Sequence, residues 1–374
     1  MNYLKINKYI LSSIFVLLSS CGQFDDFNST TNKAKALNIP SVPQGSDPNF
    51  LTFFSDTYDG LSENAQNNEL NPDKQFIKTL QEAKESIDIC AYVIDSMTIA
   101  DSIIEAHNKG IKVRIVVDSE TNKTDSMIKL RNSGISIVDD NGRSALMHNK
   151  FAIIDKNIVW TGSFNFTDSA SWKHSDNAIK ISNKFLARNY ITEFEEMFES
   201  KKFGRTSPNN VTNRMVRIGN KYVKVFFAPE DNLPKAIIDE IKKADKEIKF
   251  MSYSFTHEEI AKAMEERAKK GVKVSGIFEN VGSGQNNANS VFSQLKNSGI
   301  QLYLYKNDNQ KQAFMHHKVV IIDGKTVTTG SYNFTYNASQ DNDENMLVIS
   351  STETAQEYLK EFDRIKEKLT IPVN

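Results

Sequence analysis

An α/β architecture built twice in one chain is what this sequence predicts, and three observations lead there. The segment "MHNKFAIIDKNIVWTGSFNFT" at 147–167 returns as "MHHKVVIIDGKTVTTGSYNFT" at 315–335, identical at 13 of 21 positions without a gap. The text upstream repeats as well. "AYVIDSMTIADSIIEAHNKGIKVRIVVD" from Ala91 is answered by "SYSFTHEEIAKAMEERAKKGVKVSGIFE" from Ser252, with Tyr92 opposite Tyr253, Gly110 opposite Gly271 and Ala83 opposite Ala244, each pair 161 residues apart. Within each copy, apolar runs alternate with amphipathic stretches, the pattern of strands and helices taken in turn.

The N-terminal segment comes first. Lys5 and Lys8 precede an apolar run from Tyr9 to Leu18, then Ser19 and Ser20 lead to Cys21. The run is shorter than the roughly 18 apolar residues a membrane span needs. It resembles the signal peptide and lipobox of a bacterial lipoprotein. That resemblance implies removal of residues 1–20, lipidation of Cys21 and a place in the cell envelope, with an ordinary cleaved signal peptide as the alternative. Gly22 after the cysteine favours the outer membrane in a host with two. Residues 21–47 are polar and lack apolar periodicity, and they read as a tether. Cys90 is the one other cysteine, in an apolar run that suits a buried side chain, so neither a disulfide framework nor a cysteine metal site is expected.

The body of the chain then divides into 48–200 and 219–374, joined by a polar linker at 201–218 that carries Gly204 and Pro208. Each copy opens with an amphipathic helix (74–85; 234–245) and an apolar strand (86–94; 247–255). A helix follows (98–109; 257–270), stopped by Gly110 or Gly271, and then the strands "IKVRIVV" and "VKVSGIF". A short helix ending in "NSGI" and a further strand lead to the repeated motif. Such alternation predicts a largely parallel, buried sheet.

The motif carries the chemistry. In His148-Asn149-Lys150 and His316-His317-Lys318, histidine and lysine stand two apart at the start of a strand, so period-two alternation places both on one face. Asp155 and Asp323 end the apolar runs "FAII" and "VVII" and read as turn-ordering residues. Gly162-Ser163-Phe164-Asn165 and Gly330-Ser331-Tyr332-Asn333 follow, the glycine permitting close backbone approach. One histidine near a strand is ordinarily a packing or surface residue. Core packing has no use for a doubled His-x-Lys with Asp, Gly, Ser and Asn at the same spacing.

The pattern His-x-Lys-x4-Asp-x6-Gly-Ser-x-Asn, present twice across roughly 50–374, resembles the signature of the phospholipase D superfamily. The resemblance implies two tandem α/β/α sandwich domains about a pseudo-twofold axis, with one pooled active site for which a monomer suffices. It implies His148 as nucleophile and His316 as general acid and later base, the near-symmetry leaving the reverse open. It assigns Lys150, Lys318, Ser163, Asn165, Ser331 and Asn333 to the phosphate. Asp176 and Glu344, 13 residues beyond each serine, would hold the histidine tautomers. The shorter Asp176 stands where the family more often has Glu. No metal or cofactor is called for, and His107, His174 and His257 form no recognised ligand spacing.

Charge narrows the substrate. The net formal charge is −1, and removing Lys5 and Lys8 with the signal makes it −3, which excludes a uniformly basic nucleic-acid binder. A phospholipid is therefore the favoured substrate, a metal-independent nonspecific nuclease the alternative. A non-catalytic binding lipoprotein is disfavoured by the completeness of both motifs.

Overall fold

The computed structural model describes residues 47–55, 68–284, 287–306 and 313–373; the signal segment, Cys21 and the tether up to residue 46 lie outside them. The described residues belong to one compact unit, so both copies form a single body. The first copy runs β1 (Phe50–Phe54), α1 (Pro72–Gln81), β2 (Ser86–Ala91), α2 (Met97–Asn108), β3 (Lys112–Val117), α3 (Asp125–Asn132), β4 (Ser136–Asp139), β5 (Lys150–Ile154), β6 (Ile158–Gly162), α4 (Asp168–Trp172), β7 (Asn177–Ser182) and α5 (Lys184–Phe198). The second runs β8 (Met215–Ile218), β9 (Lys221–Ala228), α6 (Leu233–Ile241), β10 (Glu247–Ser252), α7 (Glu258–Lys269), β11 (Lys273–Phe278), α8 (Asn280–Ser283), α9 (Phe292–Asn297), β12 (Gln301–Tyr305), β13 (Lys318–Ile322), β14 (Thr326–Gly330), α10 (Tyr336–Gln340), β15 (Glu344–Ser350), α11 (Thr352–Leu369) and β16 (Thr370–Pro372).

The strands form two sheets, ordered β1-β7-β6-β5-β2-β3-β4 and β16-β12-β11-β10-β13-β14-β15-β9-β8. Only part of each is parallel, which corrects the largely parallel expectation. β2, β3 and β4 run parallel through helical crossovers, as do β10, β11 and β12. The motif strands β5 and β13 instead join β2 and β10 antiparallel, and a tight hairpin rather than a helix then returns the chain into β6 and β14. The first strands also stop about three residues earlier than their apolar runs, since Ile94 and Phe255 form isolated bridges instead, to Phe166 and Phe334. The stretch 201–218 contains a 3-10 turn at Gly204–Thr206 and the edge strand β8.

Burial explains the unbroken apolar runs. Phe151 and Ile153 enter a central core shared by both copies, which also takes Tyr190 and Phe194 of α5 and Tyr358 and Phe362 of α11. Ala152 and Ile154 face the outer core of the first copy, with α1–α3. Val319 and Ile321, against Val320 and Ile322, divide between the central core and the outer core of the second copy in the same way. Each sheet is thus covered on both faces, as an α/β/α arrangement requires. Cys90 is a free, buried cysteine in the central core.

Other motif residues are accounted for locally. Thr167 and Thr335 cap α4 and α10, their hydroxyls accepting from Ala170 N at 3.0 Å and Ala338 N at 3.2 Å. The hairpin between β5 and β6 is closed by Asn157 N donating to Ile154 O at 3.0 Å, with Asp155 and Lys156 at φ of 51° and 54°. Positive φ at both central residues is the turn that matches strand twist. The Asp155 carboxylate accepts from the amides of Lys84, Glu85 and Ser86 at 2.8–3.0 Å, and Asp323 does the same for Asp245, Lys246 and Glu247. Each aspartate therefore ties its hairpin to the entry of the neighbouring strand.

Asp155→Ala removes those three acceptor bonds and puts a residue with no local hydrogen bond at positive φ. We expect a loss of about 2 kcal/mol in chemical unfolding, with activity per folded molecule unchanged. Lost activity at unchanged stability would mean that Asp155 acts at the site instead.

Candidate active site

β5 begins at Lys150 and β13 at Lys318, so each motif histidine lies two residues ahead, where the chain enters the sheet. What it meets there comes from the other copy. His148 N donates to Asp343 O at 2.9 Å and Asp343 N to Leu146 O at 2.9 Å; His316 N donates to Ser175 O at 2.9 Å and Ser175 N to Phe314 O at 2.8 Å. These short parallel bridges bring the start of β15 beside the first motif and the start of β7 beside the second. One residue further on stand Glu344 and Asp176. The bond between His148 Nδ1 and Glu344 Oε2 is 2.8 Å, and that between His316 Nδ1 and Asp176 Oδ1 is 2.9 Å. Each histidine is thus held by a carboxylate from the opposite copy, which leaves Nε2 as its reacting nitrogen.

The glycine ahead of each serine makes this approach possible. A Cβ on Gly162 or Gly330 would collide with the carbonyl of Asn177 or Asn345. Ser163 Oγ donates to Asp176 Oδ1 at 2.7 Å and Ser331 Oγ to Glu344 Oε2 at 2.6 Å, while accepting from the amides of Asn177 and Asn345. The serines therefore bond to the carboxylates that hold the histidines. Asn165 and Asn333 are half-buried, and their amide oxygens have no hydrogen-bond partner among the described residues.

The lysines are buried at 1% exposure, whereas His148 and His316 keep 6% and 8%, so the imidazoles are the groups that reach the opening. Lys150 Nζ donates to His148 O at 2.8 Å and Lys318 Nζ to His316 O at 2.7 Å. Burial pushes Lys150 down to about 8 against the pull of Glu344 and Asp176. Lys318 is pushed down to about 7 by burial, against Asp176 and with repulsion from Lys150. Both ammonium groups feel the same two carboxylates, so the two motifs form one electrostatic site. Burial raises Glu344 to about 8, opposed first by Lys150. Burial would raise Asp176 too, but His316 dominates and holds it at about 2. Burial and the lysines lower both imidazoles, His316 to about 3. Among the described residues, no set of three His, Cys, Asp or Glu side chains is arranged to ligate a metal ion.

The intervening residues turn to the other face. His317 Nδ1 meets Asn177 Nδ2 at 2.9 Å, and Asn149 Oδ1 accepts from Asn345 Nδ2 at 2.9 Å, both again across the copies.

One pair of residues escaped the sequence reading. Asp118 accepts from Met147 N at 2.9 Å and Glu279 from Met315 N at 2.7 Å, so a carboxylate fixes the amide immediately before each histidine. They close β3 and β11 and stand 161 residues apart, aligned as the last letters of the two repeated segments. That coincidence of two acids was the available signal. Burial raises Asp118 to about 6. Asp118→Asn keeps one acceptor oxygen for two amides, those of Glu120 and Met147. We expect kcat to fall about tenfold through misplacement of His148, with KM little changed; an unchanged kcat would limit Asp118 to a fold role.

Comparison with known proteins agrees with this geometry. The family model described as "Cardiolipin synthase, PLD-like domain" matches residues 76–198 and 237–366. A mitochondrial cardiolipin hydrolase of Chlamydomonas reinhardtii is 34% identical over 127 residues, 33% of this chain, which spans 56% of that protein's length. A phospholipase D of Rickettsia typhi is 30% identical over 221 residues, covering 55% of this chain and 98% of that protein. Among solved structures, the phosphatidylserine synthase of Haemophilus influenzae Rd KW20 superposes with a TM-score of 0.63 at 14% identity, over 80% of this chain and 85% of that one, a likeness of fold. With both halves matched and both motifs meeting at one site, the chain belongs to the phospholipase D superfamily.

Proposed function

We propose that this protein is a phospholipase D-type phosphodiesterase that hydrolyses the head-group phosphodiester bond of phospholipids, held at the cell envelope by a lipid on Cys21. The observation that carries the reading is the doubled histidine with its crossed carboxylate and buried lysine. A phosphodiester has an anionic centre and a poor alkoxide leaving group, so it needs a nucleophile on one side and an acid on the other. His148 Nε2 attacks phosphorus, and the bond to the leaving oxygen breaks as that oxygen takes the proton from His316 Nε2. Water then attacks, gives its proton to His316, and the phosphorus–nitrogen bond breaks with its electron pair returning to His148. Lys150 and Lys318 stabilise the non-bridging oxygens, assisted by Asn165 and Asn333. An entering phosphodiester brings negative charge, which favours the protonated forms of the lysines and of His316.

Lipid is the preferred substrate because relatives of this chain are named cardiolipin hydrolase and phospholipase D. The net charge of −1 also offers no general attraction for nucleic acid. Among the described residues no helix is long and apolar enough to cross a membrane.

The deciding assay incubates the protein with phospholipid vesicles and, in parallel, with single-stranded and plasmid DNA. Head-group release without DNA cleavage is expected; cleavage of DNA alone would make the protein a nuclease. His148→Ala and His316→Ala should each lower turnover at least a thousandfold, roughly the scale of losing one member of a catalytic set. Mixing the two variants should restore nothing, because both histidines serve one intramolecular site. Recovered activity on mixing would require a site shared between chains.

The lysine shifts fix the direction of the pH response. The charged form is lost as pH rises through about 7 for Lys318 and about 8 for Lys150, so kcat/KM should decline through that window. The decline in kcat should lie at higher pH, since bound phosphate stabilises the ammonium groups. A kcat/KM level to pH 10 would remove the lysines from the mechanism.

A further inference from the structure

Tyr92 and Tyr253, already paired by the 161-residue offset, have no part in the mechanism above. In the structure they occupy mirrored positions against the two motifs. Tyr92 N donates to Asn149 O at 3.0 Å and Tyr253 N to His317 O at 2.9 Å, which fixes each tyrosine in register with the residue between histidine and lysine. Lys150 Nζ lies over the Tyr92 ring, 5.2 Å from its centroid, and Lys318 Nζ over the Tyr253 ring at 4.8 Å. The same rings meet the imidazoles edge-on, Tyr92 to His148 with centroids 5.1 Å apart and Tyr253 to His316 at 4.8 Å.

Neither lysine has a carboxylate within 4.0 Å among the described residues; the hydrogen bond of each Nζ goes to the carbonyl of its own histidine. A buried ammonium without a counter-ion is costly. A π face over it recovers part of that cost, the more so where water is excluded.

We propose that Tyr92 and Tyr253 are positioning residues that substitute an aromatic face for a counter-ion, keeping each buried ammonium charged and uncompensated so that a substrate phosphate becomes its first anionic partner. A carboxylate in that place would hold the lysine just as firmly and would compete with phosphate for it. The ring also restricts the imidazole plane, so one side chain sets both members of each His-x-Lys pair. This inference rests on the phosphodiesterase reading, and its test is separable from it.

The test compares Leu and Phe at each position in the full chain, with unfolding curves as the check on folding. Phenylalanine keeps the π face, so Y92F and Y253F should stay within about threefold of the wild type in kcat/KM and in affinity for inorganic phosphate. Leucine removes it, and Y92L and Y253L should lose roughly tenfold or more in both. The alkaline limb of kcat/KM should also move to lower pH in the leucine variants, because the lost ring favoured the charged lysine. The other groups acting on that limb stay in place: Glu344, Asp176 and Asp118 around Lys150, and Asp176, Glu344, Glu279 and Lys150 around Lys318. Folded leucine variants with an unmoved limb and unchanged phosphate affinity would overturn the inference. So would phenylalanine variants that lose as much as leucine, since the hydroxyl would then be the operative group; that comparison stands even if a leucine variant does not fold. Phosphate binding is read by calorimetric titration without turnover. A wild type that binds phosphate but hydrolyses neither vesicles nor DNA therefore refutes the phosphodiesterase reading and leaves the tyrosine comparison intact.

Discussion

The exchange of carboxylates across the pseudo-twofold axis is the constraint on which the rest of this molecule depends. Four backbone hydrogen bonds, two about Met147 and Asp343 and two about Ser175 and Met315, set the two halves in the one register that brings Glu344 to His148 and Asp176 to His316. Neither half alone pairs His148 or His316 with the carboxylate that holds it. The stretch between the halves reinforces that register. Gly204 N donates to Asp343 Oδ1 at 2.5 Å, and Arg143 of the first half forms an ion pair with the same carboxylate. A Cβ at Gly204 would meet the Arg143 guanidinium, so the backbone and the arginine reach Asp343 together only because that residue is glycine.

Charge explains why so polar a cluster tolerates burial. Fully ionised, the two lysines carry two positive charges against two negative ones on Glu344 and Asp176, so the empty site is balanced in sum although no lysine is paired in space. Burial still penalises each charge separately. The outcome is a set of groups held near their transition: Lys150 down to about 8, Lys318 down to about 7, Glu344 up to about 8. An arriving anion shifts that balance towards the protonated forms. Under the proposed function, the attraction for phosphate comes from the way the charges are buried, without an excess of surface cations.

Much of this was legible in the sequence, and what was not has physical reasons. The repeated motif announced His148, Lys150, His316 and Lys318 because chemistry tolerates no substitution there, and the 13-residue step to Asp176 and Glu344 followed from the same repeat. That each acid serves the opposite histidine could not be read, since spacing along a chain does not identify a partner across an axis. The carboxylate partners of the serines were illegible for a related reason. A hydroxyl near such a site suits either an anion or a carboxylate beneath it, and only geometry shows that Ser163 and Ser331 bond to Asp176 and Glu344. The parallel sheet was over-read because a strand buried on both faces is uniformly apolar whichever way its neighbour runs.

The departures from symmetry then bear on the division of labour between the histidines. In the second half Asn342 donates Nδ2 to Glu344 Oε1 at 3.3 Å; the residue 168 positions earlier is His174, beside the shorter Asp176. The His174 ring lies 6.0 Å from that of His316 and opposes protonation of that imidazole. Asp176 stays ionised down to about 2, whereas Glu344 is pushed up to about 8. Burial and Lys318 hold the His316 imidazole down to about 3, and the firmly ionised Asp176 pulls it against them towards its protonated form. An imidazole backed by a partly neutral carboxyl, between two ammonium groups, is disposed to remain neutral, as a nucleophile requires. The difference between Asp176 and Glu344 accords with the proposed role of His316 as proton carrier, whereas His174 opposes its protonation; both arise at positions where the halves have ceased to match.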